Sequence, residues 1–162
     1  MYYNLKPVAH RHCEDCEDLF MLASMAGFNS KNFVDCWMKS EECKNFDGKL
    51  SRFHTSGAPF ILEYLCETYE DKFREPGEVL DKKYMSWMGG IYRYWAIREH
   101  MSSKEVYKLC SYELMKKLAP SLSLEDPDTA IDVIKLHWLG IPLEEREEIP
   151  DDVYGIFRKE EE

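Results

Sequence analysis

The chain has 162 residues, of which 44% are hydrophobic and 14% aromatic, enough apolar side chain for one packed core and too much for a disordered polymer. Its net charge of −10 repels a phosphate backbone, so direct nucleic-acid binding is not expected. No apolar run reaches the roughly 20 residues that span a bilayer, and the first residues hold no stretch of signal-peptide length. A cytoplasmic protein without a membrane partner is expected, its six cysteines reduced thiols.

Helical periodicity dominates from the start. In CEDLFMLASMAG, Cys16, Leu19, Phe20, Ala23 and Ala26 recur every three or four residues and stop at Gly27, a natural C-cap. The preceding AHRHCEDCEDLF sets His10, His12, Cys13 and Cys16 within seven positions, the side chains from which metal sites are built. Structural zinc usually takes its second ligand pair from a distant segment, and Cys36, Cys43 or His54 could supply it only if the fold brought them close. The simpler expectation puts Cys13 and Cys16 on the apolar face of the helix, as small buried hydrophobes, with no metal ligand and no cofactor. A redox pair lacks the flanking βαβ pattern.

SKNFVDCWMKSEEC starts a second helix at Ser30, read as its N-cap, and aligns Phe33 with Cys36 or Trp37 and Ser40. FDGKLSRFHTSGAP reads as a loop. His54, Thr55 and Ser56 within it have no orienting group in view, so no catalytic residue is expected there. PFILEYLCETYEDKFRE begins at Pro59, lines up Ile61, Leu65, Tyr69 and Phe73, and breaks at Pro76 and Gly77.

DKKYMSWMGGIYRYWAIREHM is apolar on almost every face and marks a central helix. Gly89 and Gly90 inside it each cost about 1 kcal/mol relative to alanine, a cost offset where another backbone or a ligand comes close. Two readings of this helix stand side by side. In one, Arg93 forms a structural ion pair and Trp87 or Trp95 is buried. In the other, Trp87, Arg93, Tyr94 and Trp95 face a partner, since Trp, Tyr and Arg are enriched at binding hot spots. SSKEVYKLCSYELMKKLAP then opens with a capping box at Ser102 and Glu105 and is expected to stop at Pro120. DPDTAIDVIKLHWLG runs from an Asp126 N-cap, with Pro127 at its first position, to Gly140.

The expected fold is all-α: one compact domain of about six helices over residues 1–143, followed by an acidic tail over 144–162. The tail holds nine acids against three bases, −6 of the total −10. Within it Val153, Tyr154, Ile156 and Phe157 form an apolar knot, with Tyr154 and Phe157 as candidate partner anchors. The knot either orders on a partner or packs on its own domain.

From Tyr84 onward, YMSWMGGIYRYW, SSKEVYKLCSYELMKKL and DPDTAIDVIK resemble an uncharacterised family of small bacterial proteins encoded beside toxin-like genes in toxin–antitoxin-type loci. The shared marks are the Tyr-Arg-Tyr-Trp cluster, the Ser-Ser-Lys-Glu helix start and the Ala-Ile-Asp helix, across about the central third of the chain. The resemblance implies an antitoxin or other regulator and carries no active site with it. The functional expectation is a non-enzymatic protein-binding regulator or inhibitor that neutralises a protein partner, one with a basic surface suiting the acidity. A phage-encoded inhibitor of a nucleic-acid-binding defence enzyme fits equally. The other class is a small metal- or ligand-binding enzyme using His10 to Cys16 or the Arg93 face. Oligomeric state is left open.

Overall fold

Each helix starts where a side chain or a proline meets the free N–H groups of its first turn. In the computed structural model, which describes residues 2–47 and 57–143, Pro7 opens α1 (Pro7–Met25) at a position where a missing N–H loses nothing. Gly27, at φ +74°, closes it, with the Phe28 amide donating back to the Ala23 carbonyl at 3.1 Å. Asn29 caps α2 (Ser30–Lys39) by accepting the Asn32 amide at 3.1 Å. The expected cap, Ser30, is displaced one residue into the helix, and its hydroxyl accepts the Leu80 amide at 2.8 Å.

Further on come α3 (Glu41–Asp47), α4 (Gly57–Phe73), α5 (Lys82–Arg98), α6 (Ser103–Leu109), α7 (Tyr112–Leu122) and α8 (Pro127–Val133). A π-helical segment, Ile134–Trp138, extends α8, and Gly140 at φ +65° follows it. The described residues contain no strand, as the all-α expectation has it, but they carry eight α-helices rather than about six. Two of the expected helices are split by serine. Ser40 leaves helical geometry at ψ 156° and accepts the Cys43 amide at 3.0 Å, which starts α3. Ser111 accepts the Leu114 amide and starts α7 after the chain has turned out at Cys110. Pro120 does not stop α7, which runs on to Leu122. In a final turn its ring removes one intrahelical bond, and the Ser123 amide still closes onto the Ala119 carbonyl at 3.0 Å.

The acidic segment 144–162, with Tyr154 and Phe157, and the loop holding His54, Thr55 and Ser56 lie outside the described residues. No described helix is long and apolar enough to cross a membrane.

Helix α5 is the axis of the fold. Every residue from Met88 to Ile97 is buried, because α1, α6, α7 and α8 all pack on it. Helix α1 lies closest, with Gly89 and Gly90 at the crossing. Helix α4 covers the far side of α1 and α2. The link from α4 to α5 is held by backbone bonds: the Asn29 amide donates to the Phe73 carbonyl at 2.7 Å and the Ser30 amide to the Glu78 carbonyl at 2.9 Å. The Ser24 hydroxyl donates to the Leu80 carbonyl at 2.6 Å.

Candidate functional site

The most chemically dense place in the interior is built around Arg93. Its Nη1 donates to Asp47 Oδ1 at 2.7 Å, and its Nη2 donates to Ser103 Oγ at 2.8 Å and reaches Cys43 Sγ at 3.4 Å. Ser103 closes the ring: its hydroxyl donates to Asp47 Oδ1 at 2.9 Å and its backbone amide to Oδ2 at 3.1 Å. One guanidinium therefore ties the end of α3 and the start of α6 to the middle of α5. The Phe46 ring lies 5.5 Å from the guanidinium carbon, and the His12 ring stacks on Phe46, 4.7 Å away at 13°. Only about 2% of the Arg93 side chain and 18% of the Asp47 side chain are exposed.

The thiols of the opening stretch belong to the same layer. Cys13, Cys16 and Cys43 are buried, on the apolar faces where the three-and-four spacing puts them. Burial pushes Cys16 up to about 12 and Cys43 up to about 11, although Arg93 pulls both the other way. At neutral pH they are thiols, and a thiol is a poor nucleophile and a poor ligand. His10 stands apart on the surface, its Nδ1 3.0 Å from Glu14. No three His, Cys, Asp or Glu side chains among the described residues gather as a metal site would. A divalent cation placed between Cys16 and Cys43 would also meet the buried Arg93 charge. Elemental analysis of the purified protein should accordingly find far less than one zinc per chain. A stoichiometric zinc that Cys16→Ser removes would overturn this.

The structure divides the four helix residues named as partner contacts. Arg93, Tyr94 and Trp95 are 3%, 2% and 0% exposed, so they lie in the interior and not on a face a partner reaches. Tyr94 donates from its hydroxyl to Asp128 Oδ1 at 2.9 Å, which fastens α8 to α5. Arg98 strengthens the same joint by pairing with Asp128 and Asp132, and Lys135 pairs with Glu99 at 2.7 Å. The physical reason is the position of α5: with helices on every side, its middle has no outer face. Trp87, about two turns nearer the N-terminus, is different. It is half-buried and lines a cleft.

That cleft, about 400 Å³, opens between α1, α5 and α7. Glu17 forms its α1 wall, Lys83, Tyr84 and Trp87 its α5 wall, and Pro120 of α7 with Leu124 just beyond that helix its third wall. Leu124 is 85% exposed, high for a large apolar residue. The Trp87 indole N–H is shielded from water and has no acceptor among the described residues. One turn back along α7, the Lys117 ammonium sits 4.7 Å from the ring centre of Trp138, itself 45% exposed, and the Lys83 ammonium sits 5.0 Å from that of Tyr84. Neither lysine pairs with a carboxylate among the described residues. Glu17 is raised by its burial and accepts a hydrogen bond from Tyr2, so its carboxylate is engaged on the α1 side. Sequence reasoning singled out Trp87 and missed the rest, because Leu124 follows the helix expected to stop at Pro120 and Trp138 is a lone aromatic near a helix end, with no cluster around either in the sequence.

Another acidic position of α1, away from the Glu17 face, has a pH signature. Burial first, then Asp18, raise Asp15 from 3.8 to about 6, with Arg11 opposing. An acid raised in the folded state favours folding when protonated, so Asp15's contribution is present below about pH 3.8 and is lost as pH rises through about 6. Asp15→Asn should flatten that part of a stability–pH curve, and an unchanged slope would refute the assignment.

Comparison with models of protein families, with curated proteins and with solved structures finds no match for this chain.

Proposed function

We propose that the protein is a non-enzymatic regulator that binds a protein partner through the cleft between α1, α5 and α7, in the manner of an antitoxin or inhibitor. The observation that carries this reading is the concavity lined by the partly exposed rings of Tyr84 and Trp87 and by the exposed Leu124, with the Trp138 ring exposed elsewhere on the surface, against Lys117 of α7. Large amphipathic rings in a pocket are the usual anchors of protein interfaces. The remaining chemistry points the same way. The buried thiols are protonated, and the Arg93 guanidinium is engaged by Asp47, Ser103 and Cys43. The net charge of −10 speeds encounter with a partner whose surface is basic.

The test is affinity capture from the native host with the full chain and, in parallel, with Leu124→Glu plus Trp138→Ala. Both positions are exposed, so the pair should leave the helical circular-dichroism spectrum and melting curve unchanged. A protein retained in stoichiometric amount by the unaltered chain and lost with the pair is the partner, and the loss should recur with the two purified proteins. Equal retention by both chains would place the interface elsewhere.

A further inference from the structure

The face of α5 that lines the cleft runs on past it. Ser86 borders the cleft, and Gly90 and Tyr94 follow at intervals of four, which places all three on one side of the helix. Beyond Ser86 this face is covered by Tyr2. A Cβ on Gly90 would lie 2.0 Å from the Tyr2 hydroxyl oxygen and 2.7 Å from Glu17 Cγ, so the missing side chain leaves the room that both occupy. The Tyr2 ring packs on Tyr94, with centroids 5.1 Å apart, and edge-on to His10 at 5.7 Å, and its hydroxyl donates to Glu17. Glu17 therefore serves two places at once, as the α1 wall of the cleft and as the acceptor for Tyr2.

We infer that Tyr2 is a tethered plug in the inner half of a groove that begins at the cleft, and that the partner seats a tyrosine side chain there by displacing it. The inference rests on reading the cleft as a protein-docking surface. The resident side chain shows what the place accepts: a ring between Tyr94 and His10, over a glycine, with a hydroxyl that reaches a carboxylate. A ring without the hydroxyl would leave Glu17 lacking the donor that Tyr2 supplies.

The plug is held by one side chain. Leu5 is 4% exposed and fixed in the core, whereas Tyr3 and Asn4 are exposed. Asn4 turns the chain back at φ +58°, a left-handed conformation that asparagine tolerates. Rotation at Asn4 frees Tyr2 and leaves Leu5 and the helices in place. Its return is intramolecular, at an effective concentration of about millimolar. The partner's apparent affinity is thus reduced by the fraction of chains that are plugged, and residues 2–4 set the threshold for docking.

The probe for the test is p-cresol, the tyrosine side chain as a free molecule. Tyr2→Ala vacates the place, and millimolar p-cresol should raise the melting temperature of that variant saturably. Where the variant is too unstable to melt cooperatively, recovery of its helical circular dichroism by p-cresol gives the same reading. Toluene should act several-fold more weakly, since it brings no hydroxyl to Glu17. The unaltered chain and Tyr2→Phe, both still plugged, should need about ten times more p-cresol for the same response. The compound 4-benzylphenol, whose second ring extends from the plug site toward Ser86 and Trp87, should bind Tyr2→Ala more tightly than p-cresol does. Adding Ser86→Leu, which closes that passage, should remove the advantage and leave p-cresol binding unchanged. No saturable response in Tyr2→Ala, an equal response in the unaltered chain, or no advantage for the second ring would each overturn the inference. With the captured partner in hand, Tyr2→Ala should bind it several-fold more tightly than the unaltered chain, and weaker binding would make Tyr2 part of the interface and overturn the plug. The phenol readouts need no partner. A chain that gives them while its capture ignores the Leu124→Glu, Trp138→Ala pair keeps the plug and overturns the docking reading. A chain that fails them while capture depends on that pair does the reverse.

Discussion

Arg93→Ala should lower the stability of the protein by about 3–5 kcal/mol, the range for removing one partner of a buried ion pair. The reason lies in what remains. Asp47, mostly buried, keeps the Ser103 hydroxyl and amide as donors but faces no positive charge, and the space left by the guanidinium lies against Phe46. Denaturant melts of the variant and the unaltered protein measure the difference. Arg93→Lys should recover only part of it, because one ammonium cannot reach Asp47, Ser103 and Cys43 together as the planar fork does.

The double variant decides what the pair is for. If Arg93 and Asp47 act mainly on each other, Arg93→Met with Asp47→Leu should be far less harmful than either single change, since no lone charge stays behind. If the two singles simply add, the damage comes from packing, and the ionic account of this layer fails. A variant of normal stability that has lost its partner would place Arg93 at an interface, against its burial.

Much of this architecture is legible because helix ends are local chemistry. Gly27, the Ser102–Glu105 capping box, and Asp126 with Pro127 all act within three or four residues of themselves, and each stands where the pattern puts it. The breaks at Ser40 and Ser111 are hidden for a related reason. Apolar spacing continues across them, and a serine in a helical run does not announce whether it will cap or point to solvent. That Arg93 finds a carboxylate could be anticipated from its apolar surroundings. Which carboxylate it finds could not, since Asp47 lies 46 residues away. The cleft is less legible still. Its walls come from residues 17, 83–87 and 120–124, and only the packing of α1 and α7 on α5 brings them together. Tyr94 and Trp95 carry the same hot-spot chemistry as Trp87, and nothing in their spelling distinguishes the enclosed middle of α5 from its open first turns.

Gly89→Ala is the second change expected to do large damage, and it runs against helix propensity. Alanine should favour the isolated helix by about 1 kcal/mol. In the folded protein, however, a Cβ at this position would lie 2.3 Å from the Cys16 carbonyl oxygen, 2.9 Å from its carbon and 2.8 Å from Phe20 Cγ. The first two are backbone atoms of α1, so relief requires moving one helix off the other along the closest contact in the fold. Overpacking of this kind costs about 1–3 kcal/mol, and a backbone obstacle puts it at the upper end, so the net effect should be a loss of about 2 kcal/mol. Gly90 supplies the control. There a Cβ would meet the Tyr2 hydroxyl at 2.0 Å and Glu17 Cγ at 2.7 Å, both side chains able to shift. Gly90→Ala should therefore be milder than Gly89→Ala, and Tyr2→Phe should soften it further by removing the obstructing oxygen. No such rescue is available at Gly89. Equal losses at the two glycines, or a Gly89→Ala protein as stable as the original, would show that α1 and α5 do not meet as closely as the crossing at Cys16 requires.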